Sequence, residues 1–338
     1  MSVEALRVLH CPSAIGGHPQ GLAQAERAIG LSSRSVSFVD HPLGFEADET
    51  LAPEGTSAWR AEIARLRLLI RALRDFDVIH FNFGRTIAPS LDSMARARAT
   101  GPGWLATAYH AYAASLEFRD LPLLRRAGKR IAVTFQGDDA RQGDECAKRF
   151  EINATDEVEP GYYTPESDAR RRRVISHFAA HAHLIYTVNP DLLHVLPERA
   201  RFVPYAHVDS RKIAATGTRQ HSNPPVIVHA PTHRGVKGTR HVLAALERLA
   251  AEGMRFELRI VEGVSREAAI AAYRDADLLV DQLLLGWYGG VAVEFMAMAK
   301  PVACYVRDAD LGGIPAEMRG ALPIIGVSPD TVYDVLRD

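Results

Sequence analysis

The sequence predicts an α/β protein built from two doubly wound, Rossmann-like domains in tandem that face a cleft. Two observations predict it. Short apolar runs alternate with helical patterns from end to end, and one polar, loop-like stretch, "HVDSRKIAATGTRQHSNPP", interrupts that alternation. Strands separated by helices imply parallel sheets covered on both faces. At 338 residues the chain can hold two domains, each with a sizeable core.

In order, the strand candidates of the first half are "LRVLHC" at Leu6, "VSFVD" at Val36, "DVIHFN" at Asp77, "RIAVTF" at Arg130, "HLIYTV" at His183 and "RFVP" at Arg201. Helical patterns occupy 20–29, 58–74, 112–126 and 166–181. The polar stretch places the domain boundary between 206 and 207, giving domains 1–206 and 207–338. A second series follows: "PVIVHA", a helix over 237–251, "FELRIV", a helix over 266–275, "DLLVDQ", a helix over 290–300 and "PVACYV". The last helix starts after Gly289 and Gly290 and ends before Pro301, with Lys300 suited to the negative end of its dipole.

Forty basic residues against forty-one acidic ones leave a formal charge of −1, which argues against nucleic acid as the main partner. Three scattered cysteines without a CxxC pair argue against a disulfide framework or a cysteine-rich zinc site and fit a reducing cytoplasm. The N-terminus reads as a strand rather than a signal peptide, and the longest apolar region is broken by glycines and Glu294. A cytoplasmic protein is expected, either soluble or peripheral to the membrane. Contact with anionic lipid is considered because "WRAEIARLRLLIRALRDF" puts Ile63, Leu66, Ile70 and Leu73 on one helical face and Arg60, Arg67, Arg71 and Arg74 on another, with "RRRR" at 170–173. The bland alternative is a packed helix with a solvated face.

Three segments carry candidate chemistry. A glycine-rich turn at Gly16 and Gly17 follows the first strand and could aim backbone N–H groups at a phosphate; with Gly21 and Asp40 it matches a dinucleotide fingerprint only in part, since His18 stands where the third-place glycine belongs. In "VIVHAPTHRGVKGTRHVLAALERL" a strand delivers His233, Arg234 and Lys237 to a glycine-containing loop just before a helix, a pattern that suits a diphosphate. In "GWYGGVAVEFMAMAKPV" Glu294 is one acid in an otherwise apolar helix; it either pairs inside the protein or grips ligand hydroxyls in a pocket opened by the glycines.

These segments together resemble the retaining, GT-B-fold glycosyltransferases of family 4. "VKG" at 236–238 and "EFMAMAKPV" at 294–302 match that family's donor-binding half, and "IGG", "DVIHFNFG", "VTFQGDDAR" and "YTVNPDLL" are similar to its first half in order. The resemblance implies a nucleotide-sugar donor, a saccharide, lipid-linked or protein acceptor, and no metal or other cofactor. It implies that Lys237, helped by Arg234, binds the donor diphosphate and that Glu294 holds the ribose hydroxyls. Gly16, Gly17, His233, Gly286, Gly289 and Gly290 would line the donor site, and His80, His110, Gln136 and Asp138, taken to lie at or near strand ends, would stand on the acceptor or sugar side unless they only make structural hydrogen bonds.

Three departures qualify these roles. Gly286 stands where the family has its first motif glutamate, leaving the sugar contact absent or supplied by Asp281 or Gln282. Gln136 replaces a frequent histidine, and the family's closing helices would follow Asp338. Two alternatives are carried alongside: an NAD-type oxidoreductase using the Gly16 turn and Asp40, and a catalytically silent nucleotide-binding subunit of the same fold.

Overall fold

A computed structural model describes residues 6–41, 44–90, 103–213, 215–216 and 224–338. It contains two sheets of parallel strands flanked by helices. The first comprises β1 (Arg7–Cys11), β2 (Ser32–Ser37), β3 (Glu49–Thr50), β4 (Val78–Asn82), β5 (Arg130–Phe135), β6 (Leu184–Thr187) and β7 (Arg201–Phe202), in the order β3-β2-β1-β4-β5-β6-β7. Helices on both faces explain why β1, β4 and β5 read as nearly continuous apolar runs: Leu9, Ile79, Phe81, Ile131, Val133 and Phe135 are all fully buried. Burying a side chain of that size contributes about 1.5–3 kcal/mol.

The second sheet comprises β8 (Val226–His229), β9 (Glu257–Ile260), β10 (Leu278–Val280), β11 (Val302–Cys304) and β12 (Ile325–Gly326), in the order β12-β11-β10-β8-β9. Its strand order reverses between β8 and β10, which pair in parallel as Leu278↔Ile227 and Leu279↔Val228. Such a reversal opens a crevice at the carboxyl ends of the strands, where ligands bind in open α/β sheets. The core on one face of this sheet gathers Val228, Leu279, Trp287, Phe295 and Val302.

Several boundaries differ from expectation, each for a local reason. β2 starts at Ser32 rather than Val36 because its serines are buried and bonded: Ser33 Oγ donates to Glu26 and Ser35 Oγ to Asp48. The helix expected over 112–126 is two helices, Gly103–Leu116 and Asp120–Arg126, separated at Phe118, whose φ is +62°. The helix expected over 237–251 begins as the single turn Arg234–Lys237 and restarts as Thr239–Ala251 after Gly238, at φ +71°. The last expected helix spans only Gly290–Ala297, because Ala299 turns to φ +58°. Lys300 is therefore not at that helix's end. It is buried, and its ammonium donates to the carbonyls of Tyr273 and Arg274, closing the neighbouring helix Arg266–Arg274.

The chain divides into two compact units, Met1–Ala140 with Arg172–Val188 and Leu196–Arg201, and Arg141–Arg171 with Asn189–Val195 and Phe202–Asp338. Segments 141–171 and 189–195, which a boundary at 206–207 leaves in the first half, thus pack with the second unit. Two contacts show how. Arg307 Nη2 donates to Ile152 O at 2.9 Å, and a Cβ on Gly235 would collide with Glu157 O. No helix among the described residues is long and apolar enough to cross a membrane.

Candidate functional site

At the reversal of the second sheet, β8 ends in His229. Its Nδ1 donates to Val280 O on β10 at 2.8 Å, so Nε2 must accept from the Thr239 hydroxyl, also at 2.8 Å. Burial holds its pKa below the usual value, and the neutral ring fastens β8 to β10 and to the helix behind. The chain then turns through His233, whose Nδ1 accepts from Val236 N at 3.2 Å and caps the turn Arg234–Lys237; its other nitrogen lies 3.1 Å from Glu159. Arg234 points to solvent and is held by two bonds to Glu262, so it does not join Lys237.

Lys237 turns inward. Its ammonium donates to Asp281 Oδ1 at 3.1 Å and to Gln282 Oε1 at 2.6 Å, both just beyond β10 and both buried. Asp281 Oδ2 also accepts from Gly289 N at 2.6 Å, the N-cap residue of the helix Gly290–Ala297. One carboxylate thus bridges an ammonium and a helix N-terminus. Gly289 is a glycine here because of space, not conformation: its φ is −92°, but a Cβ would lie 2.6 Å from Lys237 Nζ.

Glu294 lies one turn into this helix, buried, with Oε1 3.0 Å from Arg266 Nη2 and 3.9 Å from His207 Nε2. Burial raises its pKa and Arg266 opposes the rise. Burial, with Arg266 adding to it, lowers the pKa of His207 to about 4, so at neutral pH the ring is uncharged and donates from Nε2 to Gly290 O at 3.2 Å. Gly290 is confined by the same ring, 3.3 Å from where its Cβ would stand.

Gly286 belongs to a different neighbourhood. Its φ is +73°, and a Cβ would lie 2.5 Å from Arg307 Nη1. The guanidinium pairs with buried Asp310 at 2.7 Å and stacks over Phe150 at 3.6 Å from the ring centre. Beside it a cavity of about 390 Å³ is lined by Phe150, Glu151, His194, Tyr305 and Arg307 among others.

The remaining candidates lie in the first unit. Gly16 and Gly17 are both left-handed, at φ +67°, and lead into the helix His18–Ala28; Gln136 Oε1 stands 3.0 Å from a Cβ on Gly16, so these two are neighbours. Asp138 is half-buried in the loop after β5, and Asp139, not Asp138, accepts the N–H groups of Gln136 and Gly137; burial raises the Asp139 pKa to about 7. His80 lies in the middle of β4 rather than near its end, buried and 2.8 Å from Thr134 Oγ1, with burial holding its pKa well below the usual value. His110 is exposed on the helix Gly103–Leu116, not at a strand end. Among the described residues no cluster of histidine, cysteine and acid side chains has the makings of a metal site.

Sequence reading missed two members of the second unit's site, His207 and Arg266. His207 follows "RFVPYA" inside the presumed linker, and Arg266 opens a helix as an ordinary surface cation would. Neither carries a motif. Asp281 and Gln282 were more visible, as a polar pair closing an apolar strand.

Comparison with protein-family models and with the curated proteins gives no match. Comparison with solved structures gives several over nearly the full length. Sucrose-phosphate synthase from Thermosynechococcus elongatus superposes with a TM-score of 0.55 at 13% identity, over 99% of this chain and 90% of that one. An α-glucosyltransferase in complex with UDP and a 13-mer DNA gives 0.53 at 10%, over 98% and 89%. The catalytic domain of starch synthase IV from Arabidopsis thaliana, bound to ADP and acarbose, gives 0.50 at 11%, over 96% and 88%. The chain has the GT-B fold. Within it, the Lys237, Asp281 and Gly289 cluster sits at the switch point of the second sheet, and the Gly16 turn leaves the first strand of the other.

Proposed function

We propose that the chain is a glycosyltransferase that moves a sugar, with retention, from a nucleoside diphosphate donor to a saccharide, lipid-linked or protein acceptor. One observation carries the reading: a buried lysine and a helix N-terminus converge on a single anionic group at the switch point of the second sheet. That pairing of donors suits a diphosphate, with Glu294 one turn along the same helix to accept from ribose hydroxyls. Two of the solved neighbours hold UDP or ADP, which fits the same ligand class.

In the proposed reaction the bond from the anomeric carbon to the diphosphate breaks, the bond to the acceptor oxygen forms on the same face, and the acceptor proton passes to the leaving phosphate. Lys237 stabilises the charge developing on the diphosphate, and the N–H groups of Gly289 and Gly290 add to it. Arg234 takes a supporting part, because an exposed pair such as the one with Glu262 is weak enough to exchange partners. His233 borders the diphosphate side. No metal or cofactor is assigned a step.

Two features favour a second reading, a catalytically silent nucleotide-binding protein. Asp281 already neutralises Lys237, and Arg307 fills the space beside Gly286. The NAD-type reading is not favoured, because the solved neighbours with a bound nucleotide hold UDP or ADP.

A thermal-shift panel of UDP, GDP, ADP, TDP, their sugars and NAD separates these readings. A ligand at 100 times its dissociation constant adds about 2.7 kcal/mol. The proposal expects one nucleotide family to stabilise the protein, the gain to shrink in Glu294→Gln and vanish in Lys237→Met, and nucleotide release from the donor to be measurable with a chelator present. Binding without release supports the silent reading, and stabilisation by NAD alone overturns both.

A further inference from the structure

The helix Ala58–Asp75 shows an unexpected orientation. It packs inward through Leu68 and Ala72, whereas Trp59, Ile63, Leu66 and Ile70, one stripe on the opposite side, face outward, Trp59 at 62% and Leu66 at 58% exposure. Its neighbour, the helix Gly103–Leu116, contains no Asp, Glu, Lys or Arg, yet it too is largely exposed, including Trp104 at 69%, Ala108, Ala111, Tyr112 and Leu116. The two helices are joined where Tyr109 and Tyr112 donate to Glu62 at 2.9 and 3.1 Å. Apolar surface of this extent marks an interaction face.

Charge decides what the face fits. Arg60, Arg67 and Arg74 border the stripe, all exposed, and among the described residues none of them forms an ion pair. On the same helix Arg65 pairs with Glu62 and Arg71 with Glu49; in the run at 170–173, Arg171 pairs with Asp168 and Arg173 with Glu117. Tryptophans beside an apolar stripe with arginines along its margin are suited to the boundary between headgroups and acyl chains, where rings sit at the interface and guanidinium groups reach phosphates.

We propose that the outward faces of the helices Ala58–Asp75 and Gly103–Leu116 form a docking surface for an anionic lipid bilayer, with Trp59, Ile63, Leu66 and Ile70 entering the interface and Arg60, Arg67 and Arg74 meeting lipid phosphates. The surface does not rest on the nucleotide reading and holds or fails without it.

The test is flotation of the full chain with vesicles of phosphatidylcholine alone, or of phosphatidylcholine and phosphatidylglycerol in equal parts. Two of the three tryptophans, Trp59 and Trp104, lie on this face while Trp287 is buried, so quenching by brominated lipid reports insertion directly. The protein is expected to float with the anionic vesicles only, to be released by salt, and to lose partitioning about fivefold for each of Arg60, Arg67 and Arg74 changed to Gln. Leu66→Glu with Ile70→Glu, both on the surface, should abolish flotation and quenching while leaving the thermal melt in place. No flotation with anionic vesicles, flotation that survives the double variant, or a dimer that the double variant dissociates would each overturn the proposal, the last by making the face an interface between two copies of this chain.

Discussion

At the residue scale, Glu294 and His207 are neighbours with opposite linkage to pH. The Glu294 pKa is raised by burial, so its contribution to stability is full below pH 4.5 and is lost as pH rises through its folded value. An ionised acid here is a cost at neutral pH. Glu294→Gln is accordingly expected to leave the melting temperature at pH 7 unchanged or higher while weakening nucleotide binding, the mark of a residue kept for its ligand. His207 runs the other way: its pKa falls from 6.5 to about 4, so it favours the folded state above pH 6.5 and loses that contribution as pH falls through 4. Denaturant melts at pH 7 and pH 4 should show His207→Asn removing about 3 kcal/mol of the wild type's pH dependence. A proton NMR titration should place the His207 ring near pH 4.

Asp281 is the residue on which the two functional readings divide. If a diphosphate uses the donors that Asp281 now holds, its carboxylate competes with the ligand, and Asp281→Asn should tighten nucleoside diphosphate binding by about tenfold, equivalent to 1.4 kcal/mol. The same change should lower stability by about 3–5 kcal/mol, because Lys237 would lose its buried charge partner. Calorimetric binding and urea melts on one preparation measure both.

At the element scale, the helix Gly290–Ala297 starts at two glycines confined by different neighbours, Gly289 by Lys237 Nζ and Gly290 by the His207 ring. Gly289→Ala keeps an ordinary φ but drives a methyl against Lys237 Nζ, so overpacking of about 1–3 kcal/mol is expected together with weaker nucleotide binding, read by thermal melts and calorimetry. The strands of the sheet interiors and the long helices were legible in the sequence because apolar periodicity reports burial. β2 was obscured by serines whose hydroxyls find carboxylate partners distant in sequence. The break at Phe118 could not be read, since a phenylalanine at positive φ is held there by tertiary packing, including a stacked contact with His177 at 4.4 Å between ring centres. Lys300 looked like a dipole partner of its own helix and instead closes another. The exposed stripe of the helix Ala58–Asp75 has the same periodicity as a core stripe; only the structure reveals which side is covered.

At the scale of the whole molecule, the two sheets have different strand orders, and each reverses once, between β1 and β4 in the first and between β8 and β10 in the second. The doubly wound architecture was legible from alternation alone. The assignment of segments to units was not, because 141–171 and 189–195 join the second unit through contacts such as Arg307 to Ile152 O and a Gly313 that leaves room for Leu193, which carry no local signature. The candidate residues Lys237, Gly289, Gly290 and Glu294 do fall together in that unit, while Gly286 and Arg234 have other partners.

Hydrogen exchange with and without a saturating nucleoside diphosphate decides whether the second unit holds the donor. The ligand is expected to slow exchange across 233–238 and 289–294, and Glu294→Gln to lessen the effect. Protection confined to the Gly16 turn and its helix, with those two segments unchanged, would contradict that expectation.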